Sequence, residues 1–163
     1  MAHTRLRAIL ATAILRDDHR KVKELFAQYD RIGEEALADP RLDLFLEIKK
    51  ELTIHAEIEE ERFYPAIESL RDRGEEAGEL VREARADHQA VKALLDELSD
   101  LPPEDEEFDS RMRSMMEIVT EHADKEEEEI FPLFNELSRE RQMQVSEELR
   151  VRRAELIEEY DEE

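Results

Sequence analysis

A duplicated segment constrains this chain more than any other feature of its sequence. Residues 53–65 read Thr-x-His-Ala-x-x-Glu-Glu-Glu-x-x-Tyr-Pro, and residues 120–132, which begin 67 positions later, repeat the pattern with Phe in place of Tyr. A second repeat, Asp-His-x-x-Val-Lys-x-Leu, begins at Asp18 and again at Asp87. Four of the five histidines occupy matched positions in this duplicated unit: His19, His55, His88 and His122. The pattern predicts two similar halves that share one site.

The composition favours an almost entirely helical fold in one domain. A chain of 163 residues is long enough for a single hydrophobic core. Only three glycines and five prolines interrupt a sequence rich in strong helix formers. Periodicity, capping residues and prolines predict five helices: about Thr4 to Ile32, Asp39 to about Leu70, a third that follows a connection marked by Gly74 and Gly78 and ends before Leu101, about Glu104 to Leu137, and Ser138 to about Tyr160.

The inward-facing positions of the second and fourth predicted helices match residue by residue. In the second helix these positions follow steps of three and four: Phe45, Ile48, Leu52, His55, Glu59 and Phe63. Adding 67 to each gives the corresponding positions of the fourth helix, and adding 69 relates the first helix to the third. Two such hairpins predict an all-α, up-down-up-down four-helix bundle over residues 1–138. Residues 139–163 are predicted to form a charged C-terminal helix that packs on the bundle or mediates dimerisation.

The charge and the missing cysteines exclude several classes of function. The net charge of −22 argues against nucleic-acid partners and against anionic membrane surfaces, because like charges repel. No apolar run approaches the roughly 20 residues that a membrane span needs. The sequence contains no cysteine, so disulfides, thiolate zinc sites and iron–sulfur clusters are excluded. A metal in this protein must therefore be held by histidine and carboxylate.

The first residues bear a faint likeness to a secretion signal. Arg5 and Arg7 precede the apolar run from Ala8 to Leu15. The apolar spacing continues without a break to Tyr29, however, so cleavage would remove half a helix from the core. The segment is therefore predicted to start the first helix, and the protein is predicted to be cytoplasmic.

Six residues with metal-binding side chains fall at inward-facing positions of the predicted bundle: His19, His55, Glu59, His88, His122 and Glu126. Burying such groups is costly unless something satisfies them together, and a pair of divalent or trivalent cations does so. On an α-helix, residue i+4 lies about 40° from residue i, so each His-x-x-x-Glu pair reaches one point. The first two histidines are predicted to hold one ion and the last two the other, with the two glutamates bridging them.

The other residues of the repeat are predicted to have structural roles. Glu60 and Glu127 lie about 140° around the helix from the preceding histidines and are predicted to be solvated. Tyr64 and Phe131 are predicted to pack in the core, and His3 is predicted to lie at a frayed terminus.

With these residues the chain resembles the hemerythrin-like proteins, the HHE cation-binding group. The match covers roughly residues 10–137 and depends on His19, His55-Ala-Glu-Ile-Glu59, His88 and His122-Ala-Asp-Lys-Glu126. The resemblance implies a centre of two iron ions, bridged by carboxylates and an oxo or hydroxo group, that binds or reacts with O2, NO or peroxide. Zinc or manganese also suits ligands of this kind.

One position departs from the oxygen-carrying members of that group. They usually have a fifth histidine four residues after the one on the third helix, where this chain has Lys92. The four-His, two-Glu set is similar to bacterial members linked to nitric oxide or peroxide. Three functions stay open: a protein that binds or reacts with these small ligands; a redox enzyme that decomposes peroxide or repairs iron–sulfur centres; and a metal-free helical interaction module. Either a monomer or a homodimer is expected.

Overall fold

Seven helices account for most of the chain that the structure, a computed structural model, describes, namely residues 9–33 and 38–163. They are α1 (Ala11–Ile32), α2 (Ala38–Ile58), α3 (Tyr64–Glu68), α4 (Gly74–Ser99), α5 (Glu106–Lys125), α6 (Phe131–Phe134) and α7 (Arg139–Glu162). The predicted helix start at Thr4 and the residue His3 lie outside the described part. None of the described helices has the length and low charge needed to cross a bilayer.

Four of the five long helices, α1, α2, α4 and α5, form the predicted up-down-up-down bundle, which confirms the fold class. The main contacts join α1 to α2 and α4 to α5, as expected for two helical hairpins. The third helix of the bundle, α4, starts at Gly74, earlier than predicted, because the acidic residues Glu75 and Glu76 stabilise a helix N-terminus. Gly78 lies inside the helix and does not interrupt it. Ser138 caps α7 as predicted, accepting a hydrogen bond from the backbone of Arg141.

Two π-helical turns interrupt the bundle at matched positions. They span Glu59–Phe63 and Glu126–Ile130, and each is followed by a short helix with proline near its start. Proline has no N–H and clashes with the carbonyl four residues earlier, so a regular α-helix cannot pass through it. The wider turn resolves the conflict, since the N–H of Tyr64 reaches the carbonyl of Glu59, five residues back.

The hydrophobic core consists of two clusters on either side of the layer that holds the six predicted ligands. The first, here called the α7-side core, surrounds Phe63, Tyr64, Phe131 and Phe134 and includes residues of α7. The second, here called the opposite core, contains Val22, Leu52, Val91, Leu95 and Val119 among others. A layer of charged and imidazole side chains therefore divides an otherwise continuous apolar interior.

The C-terminal helix α7 lies against α1, α2 and the first π turn. Val145, Leu149 and Leu156 bury their side chains there. Arg153 adds polar contacts, to Asp18 at 2.7 Å and to Glu51 at 3.9 Å. The domain boundary at residue 138 and a dimer contact through α7 stay predictions.

Candidate metal centre

The six predicted ligands meet in the middle of the bundle. Each histidine is at most 9 % exposed, while Glu59 and Glu126 are 0 % and 1 % exposed. Potential ligand atoms lie within 4.8 Å of one another in two overlapping groups. One group contains His19, His55, Glu59 and Glu126, and the other contains Glu59, His88 and His122. These are the two histidine pairs that the sequence predicts.

Both buried glutamates lie between the two pairs. Oε1 of Glu59 is 3.1 Å from Nε2 of His55 and 3.1 Å from Nε2 of His88. The two oxygens of Glu126 are divided between the pairs, since Oε1 is 3.3 Å from Nε2 of His19 and Oε2 is 3.3 Å from Nε2 of His122. Each glutamate can therefore contact a group held by either pair.

A carboxylate lies against the Nδ1 atom of every one of these histidines. Within each hairpin, Asp18 is 3.0 Å from Nδ1 of His55 and Asp87 is 3.2 Å from Nδ1 of His122. Between the hairpins, Glu60 is 3.2 Å from Nδ1 of His88 and Glu127 is 3.2 Å from Nδ1 of His19. Such carboxylates hold the proton on Nδ1, so that the lone pair of a neutral imidazole lies on Nε2.

With the protons on Nδ1, the Nε2 lone pairs of the histidines and the oxygen lone pairs of the two buried glutamates face one another in a buried space. Nε2 of His19 and Nε2 of His55 are 3.1 Å apart. The buried atoms Glu59 Oε2, Glu126 Oε1 and His122 Nε2 have no hydrogen-bond partner among the described residues. Buried polar atoms without partners are costly, and only protons or cations can relieve several lone pairs that converge. The donor set therefore fits one or two metal ions.

In the absence of a metal the site attracts protons. Burial opposes the charged form of His55, but Glu59 and Asp18 outweigh it and raise its pKa to about 10. Burial likewise opposes a charge on His122, yet the carboxylates around it raise its pKa to about 12. His55 and other neighbours of Glu59 overcome its burial and hold its pKa well below the ordinary value. The site is therefore built to hold positive charge.

The prediction that Glu60 and Glu127 are merely solvated is wrong. Their side chains are 34 % and 25 % exposed, and each contacts a predicted ligand on the opposite hairpin. The helical phase was right, because both residues do point away from the histidines of their own helix. They point instead at His88 and His19, whose positions depend on how the two hairpins pack.

Tyr64 is a site residue that the sequence did not reveal, since it was predicted only to pack. Its hydroxyl donates a 2.7 Å hydrogen bond to Oε2 of Glu126 and is 3.3 Å from Oε1 of Glu59. Burial and these carboxylates raise the pKa of Tyr64 well above the ordinary value, so it stays protonated. The π turn places residue i+5 back above residue i, which brings Tyr64 over Glu59. Pro65, directly after it, was the available signal.

A chamber of about 590 Å³ adjoins the histidine layer on the side of the opposite core. Its apolar wall consists of Val22, Leu52, Val91, Leu95 and Val119, and all four histidines border it. The other side of the layer is closed, where Phe131 stacks on His19 and Tyr64 stacks on His88, with ring centroids 5.7 and 5.5 Å apart. A small ligand would therefore reach the site from the chamber.

Comparison with known proteins points to one family. Residues 10–134 match the model of the hemerythrin HHE cation-binding domain. The crystal structure of a hemerythrin HHE cation-binding domain-containing protein from Mycobacterium kansasii superimposes with a TM-score of 0.74 and 25 % identity. The match covers 91 % of this chain and 87 % of that one.

A longer relative also contains a similar segment. A DNA nickase from Nostoc sp. is 31 % identical over 146 residues, which is 88 % of this chain. This chain spans 39 % of the length of the nickase, so the match concerns one part of that protein.

Proposed function

Because the chain belongs to the hemerythrin HHE cation-binding family, we propose that it binds two iron ions in the middle of the bundle and binds or reacts with O2, NO or peroxide there. One observation carries the proposal. The four histidines present Nε2 lone pairs to a buried site with two carboxylates, while four further carboxylates fix their Nδ1 protons. Such carboxylate–histidine pairs orient imidazoles for metal binding and increase their basicity.

The described contacts support a division of the ligands between two ions. His19 and His55 would hold one ion and His88 and His122 the other, with the two buried glutamates shared. Iron in such a site supplies one-electron chemistry and open positions for a small ligand. Zinc or manganese suits the same donor atoms, and family membership favours iron.

The residues of the chain would control access and protons. The aromatic side of the site excludes water, because Phe63 and Tyr64 are 0 % exposed and Phe131 is 2 % exposed. The chamber admits small molecules from the other side. The hydroxyl of Tyr64 holds a proton beside both glutamates, 2.7 Å from Glu126.

That proton supports a redox enzyme as the second candidate. Decomposition of peroxide requires proton transfer to oxygen atoms, and the buried hydroxyl of Tyr64 offers a proton beside Glu126, at 2.7 Å. Stopped-flow mixing of the iron(II) protein with peroxide separates the two candidates. Repeated turnover supports the enzyme, whereas one stable complex with O2 or NO supports a protein that carries or senses the ligand.

The nicking of DNA does not transfer readily to this chain. Phosphate groups would meet a protein with a net charge of −22, and close contact between like charges is unfavourable.

The deciding experiment measures metal content and its spectrum. We expect about two iron ions per chain after expression with added iron, and an absorption band near the ultraviolet that changes when azide is added. Fewer than about one metal ion per chain, with a thermal stability that a chelator does not change, would instead support the metal-free interaction module. Sedimentation of the same sample distinguishes the monomer from the homodimer.

A further inference from the structure

The chamber beside the histidine layer is far larger than a diatomic ligand requires. Its volume is about 590 Å³, whereas a water molecule, similar in size to O2 or NO, occupies roughly 30 Å³ in the liquid. Pockets that enclose organic ligands span roughly 300–1,000 Å³ and are mostly apolar with a few polar groups. The five aliphatic side chains of the chamber wall give this pocket that character.

The lysines of the chain are distributed unevenly around the chamber. Four of the six lysines pair with carboxylates: Lys21 with Glu51, Lys23 with Asp124, Lys50 with Asp161 and Lys125 with Glu83. Lys49 and Lys92 form no ion pair with a described residue, and both line the chamber. Lys49 only donates a hydrogen bond of 2.9 Å to the hydroxyl of Ser99. In so acidic a protein, two cations without carboxylate partners at one cavity are unexpected.

Four acidic side chains also border the chamber, and two of them are already engaged. Glu60 contacts His88 at 3.2 Å, and Glu61 accepts a hydrogen bond of 2.7 Å from Arg152. Glu57 and Asp96 are the other two acidic residues of the lining, and Lys23, which pairs with Asp124, borders the chamber as well. Lys49 on α2 and Lys92 on α4 are thus the two cations of the lining that form no ion pair with a described residue, and they share the chamber with an apolar wall.

We propose that this chamber binds an amphiphilic organic carboxylate, for which a medium-chain fatty acid is the simplest example. Its apolar chain would lie among Val22, Leu52, Val91, Leu95 and Val119, and its carboxylate would lie between Lys49 and Lys92. The inference rests on the proposed function in one respect, because the apolar end of such a ligand would face the metal-binding histidines. Binding itself uses no metal ligand.

Calorimetric titration with decanoate tests the proposal on the iron-loaded protein and on the same protein after removal of iron by a chelator. We expect one decanoate per chain in both forms. The double variant Lys49→Ala/Lys92→Ala should weaken binding about tenfold or more, as expected for lost charge-assisted hydrogen bonds. The matched control Lys50→Ala, which changes a lysine outside the chamber, should bind like the unchanged protein. Leu95→Trp, which fills the chamber, should abolish binding.

Several results would overturn the proposal. They are absence of decanoate binding, tighter binding of decylamine than of decanoate, or a double variant that behaves like Lys50→Ala. Circular dichroism confirms that each variant is folded, and Val91→Phe replaces Leu95→Trp if the latter does not fold. A protein that binds decanoate but no iron would refute the proposed function and support the binding of a carboxylate in the chamber. A protein that binds iron but no decanoate would support the proposed function and refute carboxylate binding.

Discussion

Arg153 donates a hydrogen bond of 2.7 Å to Asp18, whose other oxygen lies 3.0 Å from Nδ1 of the predicted ligand His55. The C-terminal helix α7 is therefore linked to the candidate metal centre through one side chain. Asp87, the counterpart of Asp18, has a side chain that is 41 % exposed, against 6 % for Asp18, and it contacts no arginine among the described residues. The two halves of a duplicated site are thus held differently.

The first prediction concerns this link. We expect Arg153→Ala to speed the loss of bound metal to a chelator by about tenfold, since residues that orient ligands typically affect metal affinity to this extent. The control is Arg150→Ala, which removes an exposed arginine that pairs with Glu147 on the same helix. Equal release rates for the two variants would show that α7 does not influence the centre.

The second prediction concerns the carboxylates between the hairpins. Glu60→Ala and Glu127→Ala should each lower metal affinity about tenfold, because His88 and His19 lose the groups that fix their Nδ1 protons. Glu128→Ala changes an exposed neighbour and should have no effect. Competition with a coloured chelator measures all three. If Glu60→Ala behaves like Glu128→Ala, the contact with His88 has no influence on metal binding.

The third prediction concerns the shared glutamates. Glu59→Gln and Glu126→Gln keep the shape of each side chain but remove a buried negative charge that faces both histidine pairs. We expect each variant to retain less than half of the iron, as measured by elemental analysis, while the exposed control Glu121→Gln retains all of it. Full iron occupancy in either variant would contradict the role of these residues as shared ligands.

The fourth prediction concerns Tyr64. If the protein is the redox enzyme of the second candidate function, Tyr64→Phe should keep the iron content and reduce peroxide turnover about a hundredfold, since proton transfer by a positioned side chain contributes roughly 10²–10⁴-fold. Tyr29→Phe is the matched control, because Tyr29 lies in the opposite core and its hydroxyl donates a hydrogen bond of 3.0 Å to the carboxylate of Asp109. Loss of iron from Tyr64→Phe would instead indicate that the hydroxyl mainly positions Glu126.

The fifth prediction concerns pH. The raised pKa values of His55 and His122, about 10 and about 12, apply to the metal-free protein. A group with a raised pKa in the folded state stabilises it fully below its unfolded value, about 6.5 for histidine, and this stabilisation is lost as the pH rises through the folded value. The free energy of unfolding of the chelator-treated protein should therefore fall between about pH 6.5 and about pH 10.

The metal-loaded protein should show the opposite trend below this range, where its stability should rise with pH. Protons compete with metal for imidazole, so lowering the pH towards about 5 should release the metal and destabilise the protein. Urea unfolding of both forms, at matched pH values, measures the two slopes. Identical slopes for the two forms would show that His55 and His122 do not exchange protons for metal.

The bundle and the six inward-facing side chains that meet within it could be predicted from the sequence for one physical reason. His55 and Glu59 lie on the same face of their helix as Phe45 and Leu52. The residues on one face of an α-helix follow from their spacing in the sequence, without knowledge of what the helix packs against. The repeat then gave the same helix face in the second hairpin. Asp18 and Asp87 were also visible as repeated residues next to histidines, although their contacts with His55 and His122 depend on the pairing of helices within each hairpin.

Other contacts of the site could not be predicted from the spacing of residues along one helix. The contacts of Glu60 and Glu127 join different hairpins, so their partners depend on the packing of one hairpin against the other. The position of Tyr64 depends on a π turn that changes the helical phase just before Pro65. Arg153 comes from a helix outside the repeat, where no counterpart could guide a prediction.

The polar layer that divides the core has a consequence for local unfolding. The two apolar clusters have few means of stabilising each other across a layer of ligand side chains, and only one of them is covered by α7. Parts of a protein that share few apolar contacts open as separate cooperative units. Without metal, amide hydrogens around Phe45 and Phe108 should exchange with solvent faster than those around Phe63 and Phe134. Bound metal would join all four helices at mid-height and make the two ends exchange together.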